Sequence, residues 1–465
     1  MHTPDSTNNY RQFPDNRQLG HIPGIDGLPW LGRTIAVVRD LYAVSKEHVQ
    51  RFGPVSRLGL MGQTGLLVTG ADLYQRIFQD SEQLFSCEKG YEQQLGAFYP
   101  RGLLLKDFDE HRAQRRLMQG AFKSAALQRY LEMMQPVIDT QVKAWGTHKH
   151  FVFYLAIKQL LLDIGTRCFL GIDNLGPESQ RINDLFLDLN SGMISLMRIE
   201  APFGSYGRAK RARRELERWF ESMIQQRRAD PASGDDMLSH LCREVDEEGR
   251  PYSTQMIVDH IIFLLFAAHD TSTSALTHLA MYLGCTPDLQ QRLRDEALSL
   301  GQAPLKHEDL ARMPFAEHCF NESLRLHPPV PMMVRRTVRD CEMAGLKVPA
   351  HTVLYLPSMM NQRDPQWWTD PENFDPDRFA APRSEHRRHP MCFNPFGSGA
   401  HKCIGMHFAM MMVKVFLHRF VLDWQFSTAP GYAPRLEWVP LPKPADGVPL
   451  RLRATSDIGA DVEKP

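Results

Sequence analysis

Phe396-Gly397-Ser398-Gly399-Ala400-His401-Lys402-Cys403-Ile404-Gly405 is the stretch on which the reading of the whole chain turns. A single thiol sits among small hinge residues and two basic ones, directly ahead of an apolar helical run over 403–420. Glycines let a backbone turn tightly and approach a flat cofactor closely. Backbone N–H groups and nearby positive charge favour a thiolate, the form that binds metal. A helix N-terminus aimed at the sulfur is expected to lower the thiol pKa. For a lone cysteine the ordinary alternative is a small buried hydrophobe. Three other stretches argue against it here.

The first is Glu322-Ser323-Leu324-Arg325. Three-residue spacing lets the two charges pair on one helix face. Exposed, such a pair contributes only ~0.3–0.5 kcal/mol. Its flanks, Phe320, Leu326 and Pro328-Pro329, predict burial instead, and a buried pair must be well satisfied. The second is Ala267-Ala268-His269-Asp270-Thr271-Ser272, inside a helical pattern over 257–284. Its apolar block, 261–268, is too short to cross a membrane. A Thr hydroxyl there can bond the carbonyl of the preceding turn and open a niche for a small ligand or water. The third is His111-Arg112-Ala113-Gln114-Arg115-Arg116. His111 and Arg115, four apart, offer two donors on one face to an anion, the plain alternative being a solvated charge run.

Together these motifs resemble the cytochrome P450 family. Phe-x-x-Gly-x-x-x-Cys-x-Gly is similar to that family's haem-binding loop. The resemblance implies a mainly α fold with a smaller β region, and haem b (iron protoporphyrin IX) with Cys403 as axial ligand. It implies that Phe396 packs on the sulfur side and that His401 faces a propionate, in a slot where Arg is commoner. His111, Arg115 and Arg335 are implied propionate partners. Arg336 is the adjacent alternative to Arg335, because strand side chains alternate. Glu322, Arg325 and Arg378 are implied to form a structural triad that locks the segment holding the Cys403 loop. Ala267 would contact the haem at an oxygen groove where Ala268 replaces the usual Gly, and Asp270 and Thr271 would route protons to dioxygen. Peroxide-driven members carry Arg-Pro in place of that acid–alcohol pair, so the resemblance implies a monooxygenase fed by external electrons. The alternatives are a haem-thiolate isomerase or haem-based binding protein without oxygenation and, on helical pattern alone, an interaction protein.

The chain of 465 residues shows no Gly/Ser-rich linker and no repeat. We expect one domain over 21–453, with flexible segments at 1–20 and 454–465. Lys plus Arg (54) balance Asp plus Glu (54), so the basic footprint of a nucleic-acid binder is missing. The cysteines are scattered without a C-x-x-C pair, against zinc clusters and disulfide scaffolds, and fit a reducing cytoplasm. A Pro/Gly hinge at 23–32 follows a polar start with no apolar anchor, and no transmembrane anchor is expected. About sixty residues after Cys403 are too few for a fused reductase. Electrons are therefore expected from ferredoxin and ferredoxin reductase or a flavodoxin-type donor, with NAD(P)H used indirectly. That donor would dock near His401 and Lys402.

Along the chain we expect one helix over 34–52, strands at 55–60 and 65–69, and a loop over 87–102 with one short helix. Helices follow to about 326, then short Pro-rich strands, then a long helix after Cys403. Candidate pocket residues are Tyr91, Leu95, Phe98, Tyr99, Phe263, Phe266, Ala267 and 330–334. Their apolar character predicts a hydrophobic guest: sterol, terpenoid, retinoid-like or fatty acyl. The stretch 327–335 is similar to the retinoid-hydroxylating and sterol-demethylating branches.

Overall fold

The helix Thr254–Cys285 is apolar around most of its circumference, so it is stable only when covered by protein on all sides. Ser253 starts it, accepting from the Met256 N–H at 3.2 Å. Helices Phe153–Leu170, Ser205–Ala229 and Pro314–Leu326 pack on it. They share the main hydrophobic core with helix Met406–Asp423. The computed structural model describes residues 18–147, 150–172, 177–193, 195, 199–200, 204–230 and 234–460.

A six-stranded sheet flanks this helical body, ordered Gly24–Ile25, Val55–Leu60, Gln63–Val68, Val353–Pro357, Met332–Thr337, Phe85–Ser86. Two antiparallel pairs set its register, Val55 opposite Val68 and Arg335 opposite Leu354. A parallel pairing of Leu66 with Leu354 joins them. The pleat then sends Arg335 and Arg336 to opposite faces. A second sheet, Trp424–Ser427, Pro449–Ala454 and Phe151–Val152, takes over where helix Met406–Asp423 ends.

Several boundaries differ from those the sequence predicts. The expected helix over 34–52 is two helices, Thr34–Arg39 and Leu41–Phe52. Asp40 between them is extended, and its carboxylate accepts from the Ala43 N–H at 2.9 Å, capping the second. The hairpin turns on Met61 and Gly62, both at positive φ, so the second strand begins at Gln63. The short helix expected within 87–102 is Glu88–Leu95. The helix after the cysteine starts at Met406, leaving Cys403 in the loop. Part of the expected flexible tail, Thr455–Ala460, is helical, while 1–17 and 461–465 lie outside the described residues. Among the described residues no helix is long and apolar enough to cross a membrane.

Candidate active site

The site hangs on a buried charge network. Glu322 accepts from Arg325 Nε at 2.7 Å and Nη2 at 2.8 Å, and from Arg378 Nε at 2.9 Å. The sequence offered no sign of Glu385, which accepts from Arg378 Nη1 at 3.1 Å. Two acids and two guanidiniums, all at 0–1% exposure, therefore cancel in charge. Spare guanidinium N–H groups donate to the carbonyls of Gln362, Pro371, Thr369 and Asn373. That satisfaction is what a buried ionic cluster needs to persist. Gln362 carries the fixation onward: its Nε2 donates to the Leu324 and Arg325 carbonyls, and its Oε1 accepts from the Asn394 N–H. Asn394 in turn accepts from the Gly397 N–H at 2.9 Å, anchoring the start of the cysteine loop.

The loop's glycines are required by close approach. Gly397 and Gly399 have positive φ, and a Cβ on Gly399 would lie 1.8 Å from the Phe78 carbonyl oxygen. The Cys403 N–H donates to the Phe396 carbonyl at 2.9 Å, closing the loop. N–H groups of Gly405 and Met406 and the charges of Arg115 and Lys402 favour the thiolate. Burial opposes them and holds the thiol above its ordinary value of 9.0. The expected lowering by the helix N-terminus is thus outweighed by desolvation. A coordinated metal cation reverses that balance, because it deprotonates a thiol outright. Cys403 is enclosed by protein yet keeps open surface, as a side chain on the wall of an internal cleft does.

Helix Thr254–Cys285 borders interior space in the same core. Its turns at 257–264 and 273–281 are buried, but residues 265–272 are half-buried throughout. In that window Thr271 Oγ1 donates to the Ala267 carbonyl at 2.6 Å, the local disturbance expected of a Thr there. Asp270 Oδ1 lies 3.0 Å from His269 Nδ1, and its Oδ2 accepts from Asn190 Nδ2 at 3.3 Å. Burial pushes the Asp270 carboxyl up, but His269, Lys158 and Asn190 bring it below 3.8 overall.

Two arginines and two histidines converge at one edge. The His111 and His401 rings lie 3.9 Å apart, and Arg115 donates to the Lys402 carbonyl at 2.7 Å. Burial, then Arg115 and Arg335, pushes His111 down to about 4. Burial, then Arg335, His111 and Arg115, pushes His401 down to about 2. Arg335 therefore faces the cluster, whereas Arg336 turns away and donates to the His351 carbonyl at 2.8 Å. Asp107, which sequence reasoning missed, lies 3.7 Å from His401 but also accepts from the Cys87 and Glu88 N–H groups. His111 Nδ1 is buried without a partner.

Of the expected pocket residues, Tyr99 stacks on Phe266 at 4.6 Å and meets Phe263 edge-on at 6.0 Å. Its hydroxyl donates to Asn190 Oδ1 at 2.8 Å. Tyr91 is tied to the sheet, its hydroxyl accepting from the Val334 N–H at 3.1 Å. Phe98 is buried against Tyr206 and Leu95 is buried too, while Val330 stays 36% exposed.

The cytochrome P450 family model matches residues 22–442, and the chain belongs to that family of haem-thiolate monooxygenases. A putative cytochrome P450 136 from Mycobacterium tuberculosis is 38% identical over 95% of this chain and 90% of its own length. A putative cytochrome P450 120 from Synechocystis is 30% identical over 93% of this chain and 96% of its own. Among solved structures, retinoic acid-bound cyanobacterial CYP120A1 superposes with a TM-score of 0.85 at 29% identity, covering 93% of this chain and 99% of that one. Haem is the family's cofactor, and the residues present fit it. A thiol on a cleft wall suits an axial ligand. Two arginines beside two buried imidazoles, one with an unpartnered nitrogen, suit the two carboxylates of a haem.

Proposed function

We propose that this monooxygenase oxidises a hydrophobic substrate, of retinoid-like, terpenoid, sterol or fatty acyl type, with electrons from a separate ferredoxin- or flavodoxin-type donor and its reductase. Haem, when bound, supplies the oxygen-activating redox chemistry. In this reading Cys403 is the axial ligand, Phe396 packs beside it, and His111, Arg115, Arg335 and His401 neutralise the propionates. Ala267 lies against the haem face. The aromatic wall of Tyr99, Phe263 and Phe266 favours an apolar guest and excludes water. The structural likeness to a protein bound to retinoic acid supports the retinoid-like end of that range.

The observation that carries the oxygenase reading is the pairing of Thr271, bonded to Ala267, with the acid Asp270 next to it. The hydroxyl is held beside the half-buried helix window and can hand on a proton there. Asp270 replenishes it. A peroxide-rearranging enzyme has no use for such a relay. The exposed Lys402 in the cysteine loop supports docking of an acidic electron donor.

Thr271→Ala is expected to bind haem normally but to lose coupling, forming less product and more peroxide per NAD(P)H consumed. Asp270→Asn is expected to slow turnover by about 10²-fold, in the range of a lost proton-transfer group. A reconstituted donor system and labelled dioxygen check both. Unchanged coupling in the two variants, or product without the label, would remove the reading. Screening retinoids, terpenoids, sterols and fatty acids for a low-to-high-spin Soret shift tests the substrate class.

A further inference from the structure

The residue before the acid is a histidine held between two acceptors. His269 Nε2 lies 3.1 Å from the Lys158 carbonyl oxygen, which can only accept. Its Nδ1 lies 3.0 Å from Asp270 Oδ1. A neutral imidazole has one N–H. With that proton on Nε2, the contact at Nδ1 needs a second one, on the ring or on the carboxyl. We propose that His269 and Asp270 share one proton between Nδ1 and Oδ1, and that His269 is thereby the positioning and proton-holding partner of the groove acid. This rests on reading Asp270 as that acid.

Helix geometry places the pair between two compartments. Residues advance about 100° each, so Ala267 and Thr271 share one face, and Leu265, Ala268, His269 and Ser272 another. The second face lines a cavity of about 50 Å³ whose polar wall includes Thr166, Asn183, Asn190, His269 and Ser272. The rest of the lining is apolar, so water in the cavity has only these polar side chains to hold it. Asp270 projects between the two faces. One proton leaves the Nδ1–Oδ1 contact towards Thr271, and one returns to that contact from water, so the pair ends as it began.

The surroundings fix the carboxylate for this exchange. Tyr99 orients the Asn190 amide so that its NH2 meets Asp270 Oδ2. From helix Phe153–Leu170, Lys158 places a positive charge near Asp270, and Tyr154 feels the carboxylate's negative one. Tyr99, Tyr154 and Lys158 are thus the other titratable groups bearing on the pair.

The test uses the diamagnetic ferrous carbon monoxide form of the holoenzyme, with 15N-labelled histidine and 13C-labelled aspartate. His269→Gln and Asp270→Asn assign the signals. At neutral pH we expect a proton at the Nδ1–Oδ1 contact in addition to the one on Nε2. A bare His269 nitrogen beside an ionised Asp270 overturns the proposal. His269→Gln keeps an N–H donor but cannot hold the proton, so product formed per NAD(P)H should fall on the order of tenfold. Wild-type coupling at every pH in His269→Gln, with Asp270→Asn uncoupled, overturns the role of His269 alone. Normal coupling in Asp270→Asn overturns the reading of Asp270 as the groove acid and the delivery role with it.

Discussion

Two clusters of charge lie on either side of the cysteine loop, and they are built on opposite terms. Around Glu322 and Glu385 the buried acids and guanidiniums match two for two, the half-exposed Arg383 adds a further pair to Glu385, and the buried donors reach acceptors. Around His111 and His401, two arginines crowd two imidazoles that burial and those charges hold neutral, Asp107 is the acid nearby, and one buried nitrogen has no partner. The first cluster is complete within the protein and holds the fold. In the proposed reading the second takes up the carboxylates of the haem. Burial is common to both, which is why charge balance rather than burial separates scaffold from site.

Breaking the balanced cluster should have the largest effect. Glu322→Gln strands Arg325 in a dry interior and leaves Arg378 with Glu385 alone, and should cost about 3–5 kcal/mol. Urea unfolding of the haem-free protein measures it, and failure to retain haem should accompany it. Thinning the unbalanced cluster should do the reverse to the haem-free protein. Arg335→Met relieves repulsion, so haem-free stability should hold steady or rise. Haem retention should weaken by about 1.5–3 kcal/mol, the strength of a hydrogen bond to a charged group. Haem transfer to an acceptor protein reads this loss.

The smallest effect is a pH dependence. His111 titrates near 4 when folded, below its ordinary 6.5. Between those values the unfolded chain binds a proton that the folded one does not. Its contribution is present above about pH 6.5 and is lost as pH falls towards 4, by at most about 3 kcal/mol. In haem-free His111→Phe that slope should be shallower, and haem should flatten it in the parent protein. Equal slopes in all three would remove the like-charge account of the cluster.

Much of this contrast is legible in the sequence because its carriers are local. Glu322 and Arg325 are three apart on one helix, His111 and Arg115 four apart on another, and the cysteine loop is contiguous. Periodicity and spacing report such neighbours directly. What the sequence hides is closure over distance. Glu385 completes the triad from another segment, Asn190 reaches Asp270 across 80 positions, and Asp107 lies beside His401 through a turn. Nothing local to those residues announces their partners. The break at Asp40 was missed for a different reason. Apolar periodicity continues across it, and only the capping carboxylate ends one helix and begins the next.

The central claim is that Cys403 is the metal ligand to which both clusters are arranged. The reduced holoenzyme with carbon monoxide measures it most directly. The parent protein should show the red-shifted Soret band of thiolate ligation. Cys403→His, folded by circular dichroism and loaded with haem, should show the histidine-ligated band instead. A thiolate band that persists in Cys403→His would contradict the account.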